Sequence, residues 1–473
     1  MGLDSQIVTK LEALRKRAQE QRTEGWQPRQ KKLRALRRAL VKRRAALKEA
    51  IAEDLGRPAM ETDLVEFMPV LSELTCAISN VERWSAPQRT STPLALFGTT
   101  SEIIPQPKGL CLILSPWNYP ASLALGPLTS CIAAGNTAVV KPSEYTPATS
   151  RYLRDLINDV FDEDVVYLIE GGADTAQGLL GEPFDHIFFT GSPQVGRLVM
   201  AAAAKGPTSV TLELGGKSPV VVLKDADIDK AAAKIVWGKF VNAGQTCIAP
   251  DYLLAEAPIA EQLKAAIVER VRKVYPQETG DGKRGADFAQ IVSPRHTQRQ
   301  IDLIRDAREK GAKVLIGGAN DASQRFVAPT VLDNISGEML IDQEELFGPI
   351  LPVHTVSDLD TAIEQINAGP PPLSSYIFTR DKAAANRFIA EAPAGGSCVN
   401  HTLVHFGNEK LPFGGIGPSG IGRSHGRAGF EAFSNMRAVM RDRFSPTKYF
   451  FPPYSDGKKQ LMAKLLRFMG VKS

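Results

Sequence analysis

Gly109-Leu110-Cys111-Leu112-Ile113-Leu114-Ser115-Pro116-Trp117-Asn118-Tyr119-Pro120 is an apolar run that ends in a proline-framed turn, and it opens a rhythm that decides the fold. Short apolar runs recur at Thr137 to Val140, Val165 to Ile169 and His186 to Phe189, with segments of helical pattern between them. Such runs fit strands buried on both faces. Their alternation with helices predicts βαβ units and a parallel sheet covered on both sides. Ligands of open α/β sheets bind beyond the carboxyl ends of the strands, so the turns that follow these runs are where chemistry is expected.

Toward the amino end, residues 4 to 56 read as helical and very basic. Leu33, Leu36, Leu40, Leu47 and Ile51 recur at helical spacing, among Lys31, Lys32, Arg34, Arg37, Arg38, Lys42, Arg43 and Arg44. No aromatic residues interleave for base stacking, so a solvated helix face is the preferred reading. Gly56 closes this stretch and Pro58 opens another helix that runs to about Trp84. Pro87 to Pro107 reads as a linker or an extended edge ribbon. After Cys247 a second alternating series begins: a strand at Tyr252 to Ala255, helices near Pro258 to Val274 and Thr297 to Glu309, strands near Val314, Leu351 and Ser375, and helices near Thr361 and Ala383. It predicts a second α/β domain.

The bulk properties bound the function. At 473 residues the chain is too long for one ordinary core. Its 43% hydrophobic and 23% charged content is that of a globular protein. Cys76, Cys111, Cys131, Cys247 and Cys398 are scattered without a CxxC pair, and no HExxH occurs, so neither disulfides nor a metal are expected. A reducing cytosol is the expected compartment. No secretory h-region and no apolar run of about 18 residues is seen, so no membrane span is expected. A net charge of +5 is too small to imply a nucleic-acid partner.

Five stretches carry chemistry. Asn242-Ala243-Gly244-Gln245-Thr246-Cys247 presents one thiol after a predicted helix, and Glu213-Leu214-Gly215-Gly216-Lys217 places a carboxylate at the end of an apolar run. A thiol that attacks carbon and a carboxylate that deprotonates water form a two-step acyl-transfer pair. Alone, Cys247 reads as a small buried filler, so its neighbours decide. The dinucleotide fingerprint GxGxxG is absent. In its place a strand ends in Thr190-Gly191-Ser192-Pro193-Gln194-Val195-Gly196, where Ser192 can cap a helix whose first amides suit a pyrophosphate. Lys141-Pro142-Ser143-Glu144 follows another strand and could grip ribose hydroxyls. Asn118, held between prolines, is a donor suited to a developing oxyanion.

Together these motifs, with Glu345-Leu346-Phe347-Gly348-Pro349 and Leu411-Pro412-Phe413-Gly414-Gly415, resemble the aldehyde dehydrogenase superfamily in order and over nearly the whole chain. Cys247-Ile248-Ala249-Pro250-Asp251-Tyr252, the short amino end and the region from Gly422 to Ser455 look like its class 3 branch. The resemblance implies an α/β fold: a Rossmann-like cofactor domain (1–86 and 108–213), a second α/β catalytic domain (214–434), an oligomerisation ribbon (87–107 and 435–445) and a tail (446–473). It implies oxidation of aromatic or medium to long aliphatic aldehydes, with Cys247, Glu213 and Asn118 catalytic. It implies that Trp117, Lys141, Glu144, Gly191, Ser192, Gly196, Glu345 and Phe347 hold NAD, with NADP possible because class 3 relatives keep Glu144 and often accept both. A homodimer is implied, with an edge strand near Arg437 to Arg443. A superfamily member that passes the thioester to CoA or phosphate, and a binding protein without turnover, are the rival readings; Glu213, a base that the first would not need, argues against it, and intact Asn118, Glu213 and Cys247 argue against the second. Lys458, Lys459, Lys464, Arg467 and Lys472 surround Leu461, Met462, Leu465, Leu466 and Met469 in a basic amphipathic helix. Packing on the protein's own dimer is preferred for it over docking on a membrane.

Overall fold

The computed structural model describes residues 3–470. Its first sheet has the order Gly420–Ile421, Ser209–Glu213, His186–Thr190, Leu110–Leu114, Thr137–Lys141, Val166–Leu168. All neighbours are parallel except the first pair, which is antiparallel. Side chains alternate along each strand, and the two sets enter two different cores. Cys111, Ile113, Ala138, Val140 and Phe188 face the helices Trp26–Lys42, Met68–Ser85, Ser122–Ala134 and Pro147–Asn158. Leu110, Leu112, Leu114, Val139, Ile187 and Phe189 face Ser5–Gln21, Ala173–Leu180 and Pro193–Ala203. A strand buried on both faces must be apolar throughout, and that is why these runs were readable.

The basic amino-terminal stretch is three helices, Ser5–Gln21, Trp26–Lys42 and Arg44–Leu55, broken before Trp26 and at Arg43. Leu33, Leu36, Leu40, Leu47 and Ile51 all enter the core, while Lys31, Arg34, Arg37 and Arg38 lie exposed. Gly56 ends the last helix in the left-handed region, at φ +56°. The following helix, Ala59–Ser85, is long and apolar enough by composition to cross a membrane, contrary to the expectation that no segment would be. Its Val70, Leu74, Ala77, Val81 and Trp84 are buried against neighbouring helices, as in a core helix.

The second sheet has the order Lys313–Ile316, Thr330–Asp333, Ile350–Val356, Tyr252–Glu256, Pro219–Val222, Ser374–Phe378, Gly396–Val399, parallel except at its first pair. It too is buried on both faces: Val220, Leu253 and Tyr376 on one, Val221, Leu254 and Ile377 on the other. The chain then returns. Gly420–Ile421 pairs with Ser209–Glu213, and the helix Gly426–Ala432 packs on Ser122–Ala134, so this stretch, expected with the second sheet, lies against the first. Gln88–Thr90, Thr99–Pro107 and Ser434–Asp442 form a separate antiparallel ribbon, in which Ser434–Asp442 is an open edge. The helix Asp456–Phe468 has no buried residue; Lys472 lies outside the described residues.

Candidate active site

In the first sheet the five parallel strands are laid down outward from Leu110–Leu114, and the direction of build-up reverses between that strand and His186–Thr190. A crevice opens where strand order reverses, and it is the default ligand site of such sheets. The turns Ser115–Pro120 and Gly191–Ser192 sit at that point. Ser192 accepts from Val195 N at 3.3 Å and caps the helix Pro193–Ala203. Next to it the Thr190 and Ser115 hydroxyls are buried without a partner, and buried polar atoms left unpaired are costly unless a ligand or water serves them. On the adjacent strand end Lys141 is buried, and its Nζ lies 3.2 Å from the exposed Glu144. These groups fit the phosphates and ribose of a dinucleotide.

A second cluster stands beside them. The Trp117 ring meets Phe347 edge-on at 5.3 Å and His296 at 5.1 Å, and His296 meets Tyr145 at 5.4 Å. The structure therefore unites Trp117 and Phe347, as expected, and adds His296 and Tyr145, which no sequence pattern marked. Burial and the neighbouring Arg295 and Arg299 hold His296 below its ordinary pKa. Phe347 has φ +46°, a strained conformation for a bulky residue. It is held by its surroundings: Arg299 donates to Leu346 O at 2.9 Å and Glu345 O at 2.8 Å, and Lys217 donates to Asp251 at 2.6 Å and Glu344 O at 2.8 Å. Lys217 is thus a fastening for this loop. Glu345 lies directly on Gly215, where an added Cβ would come within 2.1 Å of its carboxylate, so the glycine is what admits Glu345.

The thiol belongs to a third group. Asn242, Ala243 and Gly244 are successive left-handed residues, with φ 54°, 52° and 76°. The Gly244 α-carbon faces the Gly348 carbonyl, with no room for a Cβ. Hydrogen bonds hold this unfavourable turn: Gln245 Nε2 donates to Asn242 O and to Gln290 O, each at 3.0 Å, and Gln245 Oε1 accepts from Val292 N at 2.9 Å. The Asn118 amide donates to Gln245 O at 3.1 Å, which fixes it beside the thiol loop. Cys247 is half-buried and packs against an apolar cluster of Val241, Ile248, Leu373, Leu403 and Phe413, on which Val65, Trp237 and Phe406 also pack. Burial first, and then the charges of Glu213 and Glu345, push its thiol far above the ordinary range; the amides of Cys247 and Ile248 act the other way.

Glu213 ends its strand fully enclosed, and burial lifts its pKa to about 7 against the pull of Ser424 and Arg423. The Ser424 hydroxyl donates to it. Ser424 lies 211 residues away in sequence and carries no motif of its own. Beside this pair is a narrow cavity of about 30 Å³, lined by Glu73, Leu123, Phe406 and His425 among others. That is room for a water.

An enclosed thiol, a raised carboxylate beside water-sized space and a dinucleotide-type crevice are the parts an oxidoreductase working on a carbonyl needs. The profile of the aldehyde dehydrogenase family matches residues 4–439. The 4,4'-diaponeurosporen-aldehyde dehydrogenase of Staphylococcus aureus is 40% identical over 94% of this chain and 95% of its own length. Aldehyde dehydrogenase family 3 member A2 of Mus musculus is 39% identical over 90% and 87%. Among solved structures, the substrate-bound state of Staphylococcus aureus AldH superimposes with a TM-score of 0.92 at 38% identity, covering 98% of this chain and 100% of that one. A betaine aldehyde dehydrogenase from the same organism, in complex with NAD+, gives 0.84 at 27% identity, covering 93% and 88%. The chain belongs to the aldehyde dehydrogenase family, oxidoreductases that act on aldehydes, and family 3 members are among its relatives.

Proposed function

We propose that the protein oxidises aromatic or medium to long aliphatic aldehydes to carboxylic acids, through an acyl thioester on Cys247 hydrolysed by water that Glu213 activates. The observation that carries this reading is the enclosed Glu213 carboxyl, raised to about 7, which lines a water-sized cavity and whose charge acts on the Cys247 thiol. A general base works best when its pKa lies near the operating pH. The Cys247 sulfur attacks the aldehyde carbon as its proton passes to solvent water, and the carbonyl oxygen becomes an oxyanion. The Asn118 amide and the Cys247 main-chain N–H are the donors for that oxyanion. Each such donor typically contributes about 10²–10³ in rate. A bound nicotinamide dinucleotide supplies the hydride acceptor for the thiohemiacetal, whose oxidation leaves the thioester. Glu213 then takes a proton from water, the hydroxide adds to the thioester carbon, and the C–S bond breaks to release the acid.

The cluster that Cys247 packs against, with Leu403 and Phe413 in it and Val65, Trp237 and Phe406 at its rim, is apolar or aromatic, which suits a hydrophobic tail. A panel of short, long and aromatic aldehydes, followed by NADH absorbance, is expected to give higher kcat/KM as apolar length grows; preference for short polar aldehydes would overturn this assignment. Gly191, Ser192, Gly196 and Lys141 are assigned to the dinucleotide phosphates and adenosine side, and Glu345, Phe347 and Trp117 to the nicotinamide half. Glu144, exposed beside Lys141, bonds a ribose 2′-hydroxyl but repels a 2′-phosphate. NAD is therefore expected to match or exceed NADP in kcat/KM, and Glu144→Gln to shift the ratio toward NADP; strong NADP preference in the natural protein would contradict this. The open edge at Ser434–Asp442 is the surface through which we expect a homodimer to form.

A further inference from the structure

Arg57 is the largest of the fully buried side chains, and a buried cation must be paired and hydrogen-bonded to persist. Its guanidinium spends its donors in a particular way. Nη1 donates to Glu66 at 2.9 Å, an ion pair with no exposure on either side. Nη2 donates to the Asn118 main-chain oxygen and, at 2.7 Å, to Asn242 Oδ1, to which Nε also donates at 3.1 Å. Asn242 Nδ2 in turn donates to Asn118 O at 2.9 Å and to Gln245 O at 3.1 Å. Gln245 O is the same oxygen that receives the Asn118 amide. The acceptors beyond Arg57's own acidic partners are therefore confined to the oxyanion-donor turn and to the left-handed turn ahead of Cys247. The face of the guanidinium lies 5.0 Å from the Tyr119 ring, the residue after Asn118.

The helix that brings in the counter-charge is locally deformed. Between Ala59 and Ser85 one turn, Asp63–Phe67, is a π-turn, and such turns are frequent at functional sites. It carries Glu66 to Arg57, where Glu66 Oε2 also accepts from Ser122 N at 2.7 Å, and it carries Val65 into the apolar cluster beside Cys247. One turn earlier Glu61 accepts from Asn242 N at 2.9 Å. Residues 57–67 thus reach from the amino-terminal helices to both catalytic turns.

We propose that Arg57 is a positioning residue that locks the Asn118 turn to the Cys247 turn, so that the Asn118 amide is aimed at the oxygen of the reacting carbonyl. The inference rests on the oxyanion role given to Asn118 above. One guanidinium plane serves Glu66 from Nη1, Asn118 O from Nη2 and Asn242 Oδ1 from Nη2 and Nε together; a lysine ammonium, a single point of charge, does not span all three. The lock acts on the transition state, so its loss lowers kcat and leaves aldehyde KM largely unchanged.

The test is a double-mutant cycle in the full-length enzyme, using R57M, N118A and the pair, with kcat, KM and thermal melting measured for each. If Arg57 acts through Asn118, R57M lowers kcat by about tenfold or more in the natural background and by less than about threefold in N118A, since contacting residues do not add. An equal fold-loss in both backgrounds overturns the proposal while leaving the role of Asn118 intact. So does a kcat in R57M equal to that of the natural protein. N118A turning over at the natural rate overturns both this proposal and the oxyanion assignment. Should R57M not fold, R57K keeps the charge against Glu66, and the same non-additivity with N118A is expected at smaller size; additive losses there count equally against the proposal.

Discussion

Cys247→Ala is expected to abolish NADH formation from aldehyde, with kcat/KM lower by about 10⁴-fold or more, the scale seen when a nucleophile is removed from a covalent mechanism. No other thiol can take over. Cys111 and Cys131 are buried within the first core, Cys398 is buried against His405, and Cys76 lies on the helix Met68–Ser85. The loss is expected without a change of fold, because Cys247 is half-buried in a loop whose shape is set by Asn242 and Gln245 and not by the sulfur. Melting within a few degrees of the natural protein, together with residual activity near background, is the outcome that supports the assignment. Appreciable turnover in this variant would remove the thioester from the account.

Glu213→Gln has the second largest expected effect, and it acts on a different step. Water attack on the thioester loses its base, a loss of about 10²–10⁴. Hydride removal is not affected in the same way, so a burst of one NADH per site is expected, followed by slow steady turnover. In the natural enzyme kcat should rise with pH through about 7, as the Glu213 carboxyl ionises, and then level off. The variant should lose that limb. Stability should move in the opposite direction. Glu213 is raised from 4.5 to about 7 in the folded protein, so the native state holds a proton that the unfolded chain has already released. Its stabilising balance is intact below about pH 4.5 and is lost as pH rises through 7. The glutamine variant should therefore be more stable than the natural enzyme at about pH 8, by up to roughly 3 kcal/mol, and equally stable at about pH 4. A variant without a burst, or with an unchanged pH limb, would assign the base elsewhere.

What the sequence made legible follows from range. Strands such as Leu110–Leu114 and Thr137–Lys141 announce themselves because burial on both faces demands unbroken apolar runs. Thr330–Asp333 and Gly396–Val399 are just as much part of the second sheet but carry polar or small residues. Gly420–Ile421 is two residues whose only structure is its pairing with Ser209–Glu213. The same division runs through the site. Glu213, Cys247 and Asn118 sit in local motifs of glycine, proline and small polar residues. Their supports do not: Arg57 bonds across 185 residues to Asn242, and Ser424 across 211 to Glu213. Lys217, inside a motif, turns out to fasten the loop of Glu345 and Phe347 through Asp251. A pattern in sequence can mark a group that must be present; it cannot tell whether that group touches substrate or holds one that does.

The most direct measurement is the mass of the Glu213→Gln protein quenched after its burst with aldehyde and NAD, followed by peptide mapping. The account predicts one acyl group per chain, attached at Cys247 and matching the NADH released. An acyl group on another residue, or unmodified protein after stoichiometric NADH formation, would contradict it.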